Sequence, residues 1–172
     1  MNHPLKAFEF CPRCGSKQFN INGERSRHCS DCNLTYYANA SASTAAIITN
    51  SKGEVLLTTR AFNPAKGMLD LPGGFVDMNE TAEEAIIREL KEELNINIQN
   101  PKYLFSLPNE YEFSGITVHT LDIFFKIEID DNTIIKTDDD VASAQFYDLN
   151  NVNIENIGLQ SIKTAIEKFR TK

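Results

Sequence analysis

A chain of 172 residues and 19.4 kDa has room for one ordinary domain and a small appendage. Hydrophobic residues make up 41% of it, enough to pack a core and too many for a disordered chain. The formal charge of −7 argues against bulk adsorption to nucleic acid or an anionic membrane, though not against a small anionic substrate whose charge a bound cation offsets.

Met1 to Phe10 lack the uninterrupted apolar stretch of a secretory signal, and no apolar run approaches the roughly 20 residues that span a bilayer. The expectation is a cytoplasmic protein with no membrane contact. In a reducing compartment cysteines read as metal ligands before they read as disulfides. All four lie in Cys11-Pro12-Arg13-Cys14-Gly15 and Cys29-Ser30-Asp31-Cys32-Asn33, two CxxC pairs separated by fourteen residues. Each pair wraps two thiolates around one side of a tetrahedral ion, and the residues between supply a hairpin. Gly15 and Asn33 tolerate the left-handed conformation that turns backbone N–H groups toward the sulfurs. Phe10, Phe19, Ile21 and Leu34 are too few to form a core. The reading is a structural Zn²⁺ held by Cys11, Cys14, Cys29 and Cys32, with no open position for catalysis. Arg25, Arg27 and His28 cluster beside Cys29, so nucleic-acid contact by this ribbon stands as the alternative.

From about Ala40 the character changes, which divides the chain into a ribbon (1–38) and a larger domain (39–172). Ala45 to Ile48 and Val55 to Leu57 are short β-type runs separated by the hairpin signal Asn50-Ser51-Lys52-Gly53. A loop rich in Pro and Gly spans Asn63 to Gly74, and a helix is predicted from Ala82 to Leu94. Lys102 to Leu107 and Val118 to Ile129 read as strands, the second becoming continuously apolar at Ile123-Phe124-Phe125 as a buried strand does. Phe146-Tyr147 marks a last short strand. Glu155 to Phe169 carries Leu159, Ile162, Ala165, Ile166 and Phe169 at helical spacing. Strands and helices mix, so the fold class is α/β or α+β.

The helix carries the chemistry. Thr81 and Glu84 form a capping box, so the helix starts there. Ala82, Ile86, Leu90 and Leu94 make one apolar stripe, while Glu89, Glu92 and Glu93 share a different face. Like charges repel at this spacing, and they sit toward the C-terminus, where the helix dipole also disfavours anions. A solvated acidic face is the bland alternative. Arg88 within the cluster and Leu71-Pro72-Gly73-Gly74 leading into the helix favour a site for a hard divalent cation, Mg²⁺ or Mn²⁺.

The stretch from Gly74 resembles the Nudix box, GX5EX7REUXEEXGU, where U is a bulky aliphatic residue. Five residues after Gly74 comes Glu80, then seven residues, then Arg88-Glu89-Leu90-Lys91-Glu92-Glu93-Leu94. Asn95 stands where the family has its second glycine, and Asn is the next most acceptable residue for a left-handed helix cap. The resemblance implies an α/β/α sandwich with a mixed sheet. It implies divalent metals on Glu89, Glu92 and Glu93 and on the backbone carbonyl of Gly73. Arg88 would orient these carboxylates and Glu80 would support the loop and helix. The implied activity is metal-dependent hydrolysis of a pyrophosphate bond in a small nucleotide such as NADH or ADP-ribose. The general base is Glu89 or a member of the run Asp138-Asp139-Asp140, of which Asp140 is preferred; a solvated acidic loop is the alternative for that run.

Ribbon followed by box is similar to the NADH pyrophosphatase branch, which also carries an S-Q-P-W-x-F-P-x-S motif. Here Ser106, Pro108 and Ser114 agree and Tyr111 stands in for the Phe, but the Trp and second Pro are absent. The motif therefore does not carry that branch's NADH preference to this chain. Tyr111 and Phe113 are candidate stacking partners for a base, with packing roles as the alternative, and Arg60 is grouped with them as a substrate contact. Self-association into a homodimer is left open. The rival class is a non-catalytic module that senses a nucleotide or binds nucleic acid, which the retention of every box carboxylate disfavours.

Overall fold

The computed structural model describes residues 3–138 and 141–171. Strands β1 (Phe19–Ile21), β2 (Ser26–Cys29) and β3 (Thr35–Tyr37) form a small antiparallel sheet in that order. Its interior is little more than Cys11, Phe19 and Cys29, with Cys32 and Leu34 packed against them. Gly15 and Asn33 take φ of 74° and 60°, and each donates its N–H to the carbonyl four residues back, Cys11 and Cys29 respectively, at 2.9 Å.

The larger sheet is built from β4 (Ser41–Thr49), β5 (Val55–Arg60), β6 (Leu69–Asp70), β7 (Lys102–Phe113), β8 (Ile116–Glu128) and β9 (Val141–Tyr147). The order is β6-β5-β4-β8-β7, with β9 on the other edge of β5. The long β4–β8 pairing is parallel and the others are antiparallel, so the sheet is mixed. The β4–β5 turn is closed by Asn50, whose side-chain oxygen accepts the N–H groups of Lys52 and Glu54 at 3.1 and 3.0 Å.

Helix α1 (Ala82–Leu94) covers one face of this sheet and α2 (Gln160–Arg170) the other. Alternate residues along a strand point to opposite faces. Ala46, Ile48, Leu56 and Phe125 accordingly meet Ile86, Leu90 and Leu94 of α1. Ala45, Ile47, Leu57 and Phe124 meet Ile162, Ala165 and Ile166 of α2. The result is the expected α/β/α sandwich. No helix among the described residues is long and apolar enough to cross a membrane.

The predicted limits of α1 hold at both ends. Thr81 and Glu84 form the reciprocal capping box, and Asn95 closes the helix at φ 54°, donating its N–H to the Leu90 and Lys91 carbonyls. Other limits move. Helix α2 begins at Gln160 rather than Glu155, because Ile154–Asn156 forms a separate 3-10 turn capped by Asn153. Gly158 then donates its N–H to Leu69, holding the chain extended up to Leu159. Strand β9 runs over seven residues, paired along β5, where only Phe146-Tyr147 was anticipated. Strand β7 continues past Leu107 to Phe113, so the Tyr111 and Phe113 stretch is part of the sheet.

Candidate active site and zinc centre

A split between two strands creates the site. Strands β4 and β5 pair only at Thr49 and Val55. Beyond that point β4 is free to bond the loop that precedes α1: Ala46 donates to the Pro72 carbonyl (2.9 Å), Thr44 to Gly74 (2.7 Å), and Val76 donates back to Ala42 (3.0 Å). Gly73 sits between these bonds at φ 140°, where a Cβ would overlap the Thr44 carbonyl oxygen. A Cβ on Gly74 would lie 2.5 Å from Glu89 Oε1. Glycine at 73 is thus a steric requirement for laying this loop against β4, while a side chain at 74 would displace the Glu89 carboxylate.

Arg88 organises the carboxylates. Its Nε and Nη2 donate to the two oxygens of Glu80, each at 2.9 Å, in a bidentate pair. Its Nη1 donates to both Glu89 (2.8 Å) and Glu92 (3.1 Å), and Nη2 also reaches the Phe75 carbonyl at 3.1 Å. Hydrogen bonds from Arg88 and then from the Asp77 backbone hold Glu80 at a pKa of about 2. Glu89 moves the opposite way, because burial raises it more than Arg88 lowers it. Glu93 is buried, and its Oε2 accepts the Gly73 N–H at 2.9 Å. The donor set is all oxygen, which suits a hard divalent cation. Helix geometry thus puts Glu89, Glu92 and Glu93 on neighbouring turns, tied by Arg88 and by the Gly73 loop.

Beside them opens a cavity of about 690 Å³, lined by Gly73, Gly74 and Glu93 and also by Arg60, Tyr111 and Phe113. Tyr111 is central to an aromatic row, edge-on to Phe75 at 6.0 Å and stacked with Phe113 at 6.3 Å. Arg60 lies 6.0 Å from the Tyr111 ring centroid, with its Nη2 3.4 Å from the hydroxyl, and is steered there by Asp70 (2.6 Å) and the Pro64 carbonyl (2.7 Å). The three residues proposed as substrate contacts therefore meet in one cavity with the box. Asp140 lies outside the described residues. Asp138, from the same run, donates its backbone N–H to the Glu93 carbonyl at 3.0 Å, which ties Asp138 to the end of α1.

Sequence reasoning missed the polar lining of this cavity: Ser43, Asp70, Asn109, Thr120 and Asp122. One signal was available. Asp122 interrupts the otherwise apolar run Leu121 to Phe125, and a charged residue in a buried strand needs partners that the sequence does not name.

In the ribbon, the sulfurs of Cys11, Cys14, Cys29 and Cys32 all lie within 4.8 Å of one another. Cys11 to Cys32 is 3.6 Å and Cys14 to Cys29 is 3.7 Å. Disulfide sulfurs stand about 2.05 Å apart, whereas tetrahedral Zn–S bonds of about 2.3 Å place sulfurs about 3.8 Å apart. The spacing fits zinc. The thiols are also electrostatically divided. Burial raises Cys11, but backbone N–H groups of Cys14 and Arg13 bring it down to about 7. The backbone N–H of Ser16 lowers Cys14, yet the crowding thiols and burial drive it up to about 12. Four thiolates this close require a cation among them.

Residues 40–166 match the NUDIX domain family. The chain belongs to the Nudix family. Residues 6–37 match the NADH pyrophosphatase zinc ribbon domain, so the four-cysteine ribbon is that of a known Nudix branch. The chain is 29% identical to the NAD-capped RNA hydrolase NudC of Pseudomonas fluorescens over 80% of its own length and 47% of that protein's. It is 36% identical to the ADP-ribose pyrophosphatase of Methanocaldococcus jannaschii over 61% of its own length and 60% of that protein's. The chain thus spans about half the length of the NudC proteins it matches. The crystal structure of a Nudix hydrolase from Nitrosomonas europaea superposes with a TM-score of 0.68, covering 95% of this chain and 90% of the other at 22% identity, which establishes the shared fold.

Proposed function

We propose that this Nudix chain hydrolyses the pyrophosphate bond of a nucleotide in which a nucleoside diphosphate is joined to a second moiety, with NADH, NAD⁺ and ADP-ribose as the substrate class. The observation that carries the reading is continuity: Glu93 and the glycine loop form one part of the same cavity whose other walls are Arg60 and the aromatic row. The named activities of the NudC and ADP-ribose pyrophosphatase relatives support it. In this assignment residues 1–38 are a ribbon unit and 39–172 the hydrolase domain. Cys11, Cys14, Cys29 and Cys32 hold zinc, and Glu89, Glu92, Glu93 and the Gly73 carbonyl hold Mg²⁺ or Mn²⁺. Such divalent cations offset charge on bridging and leaving phosphate oxygens and make water more acidic.

The chain's own groups do the rest. Arg88, shared between Glu89 and Glu92, limits their mutual repulsion and fixes which way each carboxylate turns. Glu80 accepts two of the Arg88 donors and so holds the guanidinium in place. The Gly73 N–H orients Glu93. Tyr111 and Phe113 provide flat faces for a base, and Arg60 supplies positive charge toward the phosphates. Glu89, whose half-buried carboxyl holds its proton more tightly than an exposed one, is one candidate base, and Asp140 is the other.

The test is hydrolysis of a nucleotide panel by the zinc-loaded chain with Mg²⁺ or Mn²⁺, with a phosphatase releasing phosphate from the products. Turnover of one or a few diphosphate-bridged compounds is expected. A folded, zinc-loaded protein that turns over none of a broad panel is a binding module instead.

A further inference from the structure

The cavity has a wall that the hydrolysis reading leaves without a task. Asn109 and Thr120 face each other across β7 and β8, and Asp122 is the next residue on the same face of β8. Ser43 stands beside Asp122 across the parallel β4–β8 pair. All four line the cavity, and Asn109, Thr120 and Asp122 are 9%, 4% and 6% exposed. The hydroxyls of Ser43 (2.5 Å) and Thr120 (2.6 Å) donate to Asp122 Oδ1, and that of Ser161 (2.5 Å) to Oδ2. No lysine or arginine pairs with this buried carboxylate among the described residues. Asn109 as a residue is nine-tenths buried, but its side-chain amide, which makes no hydrogen bond among the described residues, is not sealed from solvent where it lines the cavity. An unpaired amide on a cavity wall keeps its donor and acceptor available to a ligand.

We propose that the Asn109–Asp122 wall reads the amino-bearing edge of a flat heterocycle: an N–H₂ beside an acceptor, as in the 6-amino edge of adenine or the carboxamide of nicotinamide. The proposal rests on the nucleotide reading above and names what selects the substrate. The Asn109 amide offers a donor and an acceptor side by side, the pairing by which asparagine recognises adenine. Two of the three hydroxyls occupy Oδ1 of Asp122, which leaves acceptor capacity on Oδ2 for a ligand N–H. A carboxylate favours N–H over an oxo or carboxylate group, which it repels. Phe75, Tyr111 and Phe113 supply the faces for a flat ring between this wall and the box.

The experiment compares kcat/KM of the zinc-loaded chain on NAD⁺, nicotinic acid adenine dinucleotide and nicotinamide hypoxanthine dinucleotide. One analogue should be poorer by about tenfold or more, chiefly through KM, the size of one lost hydrogen bond to a charged or amide partner. Loss with the hypoxanthine compound assigns the wall to adenine, and loss with the nicotinic acid compound assigns it to the carboxamide. Asn109→Ala and Asp122→Asn should each shrink that gap to about threefold or less, with Asn109→Ala as the variant that leaves the Asp122 hydroxyl cage intact and its melting temperature confirming the fold. Equal use of all three compounds, or a gap that survives Asn109→Ala, overturns the proposal. If none is hydrolysed, calorimetric titration of AMP against IMP, and of nicotinamide mononucleotide against nicotinic acid mononucleotide, tests the wall alone. A tenfold preference that Asn109→Ala removes then supports the wall while leaving the hydrolysis reading to the nucleotide panel above, and equal binding within both pairs defeats the wall.

Discussion

The sheet of β4 to β9 has an apolar layer on each face, one containing Ile86, Leu90 and Leu94 of α1 and the other Ile162 and Ile166 of α2. The sheet of β1 to β3 has beneath it, among the described residues, little more than Cys11, Phe19 and Cys29, two of which belong to the four-sulfur cluster. Ile21, Tyr36 and Tyr37 of these strands stay about half exposed. The two regions obtain stability from different sources. In the sandwich each side chain contributes a few kcal/mol, so loss of one is survivable. In the ribbon the four sulfurs act as a unit, and their binding energy for a cation is the folding energy of the segment.

The largest expected effect follows directly. Chelation, or Cys14→Ser, should release zinc and unfold residues 10–37, because structural zinc contributes on the order of 10 kcal/mol or more to such a segment. Hydrogen exchange should show β1 to β3 losing protection while β4 to β9 keep theirs; a ribbon that stays protected without zinc would break the comparison. Next in size, Glu93→Gln should lower turnover by about a hundredfold or more, equivalent to about 3 kcal/mol in the transition state. Gln keeps an oxygen for the Gly73 N–H, so the melting temperature should barely change. Undiminished activity would remove Glu93 from the cation site.

Leu90→Ala is the counterpart of Cys14→Ser within the sandwich. Leu90 is fully buried, and its truncation should cost about 2–5 kcal/mol by denaturant titration. Zinc content should be unaffected, which separates the two sources of stability. The Arg88 network sharpens the comparison by pH. Glu80 titrates near 2 when folded, below the ordinary carboxylate value, because of its hydrogen bonds from Arg88 and the Asp77 backbone. Its contribution is therefore complete above the unfolded pKa and is lost as pH falls toward 2. In Arg88→Met the NMR titration of Glu80 should move up toward the ordinary range; a midpoint still near 2 would show that the Asp77 backbone alone sets it. The smallest effect is Asn95→Gly, restoring the family's residue at a left-handed cap with φ 54°. It should stabilise by up to about 1 kcal/mol, partly offset by loss of the Lys91 hydrogen bond to the Asn95 side chain at 2.7 Å.

The legible parts were those that neighbours along the chain decide. The cysteine pairs, the turn at Asn50 to Gly53, the Thr81 cap, the Asn95 stop and the placing of Glu89, Glu92 and Glu93 together all depend on spacings of a few residues. Backbone geometry converts such spacings into structure with little help from elsewhere. The start of α2 was misjudged because apolar spacing is blind to the hydrogen bond from Gly158 to Leu69. The polar wall was invisible for the same reason on a larger scale. Ser43 and Asp122 are 79 residues apart, and Ser161 is 39 beyond Asp122, so their hydroxyl–carboxylate contacts exist only once β4, β8 and α2 are packed. The sequence by itself determined the family, the four-cysteine ribbon and the acidic helix. The tertiary structure alone decided which polar groups face the cavity, because strand pairing between distant segments chooses the face each side chain occupies.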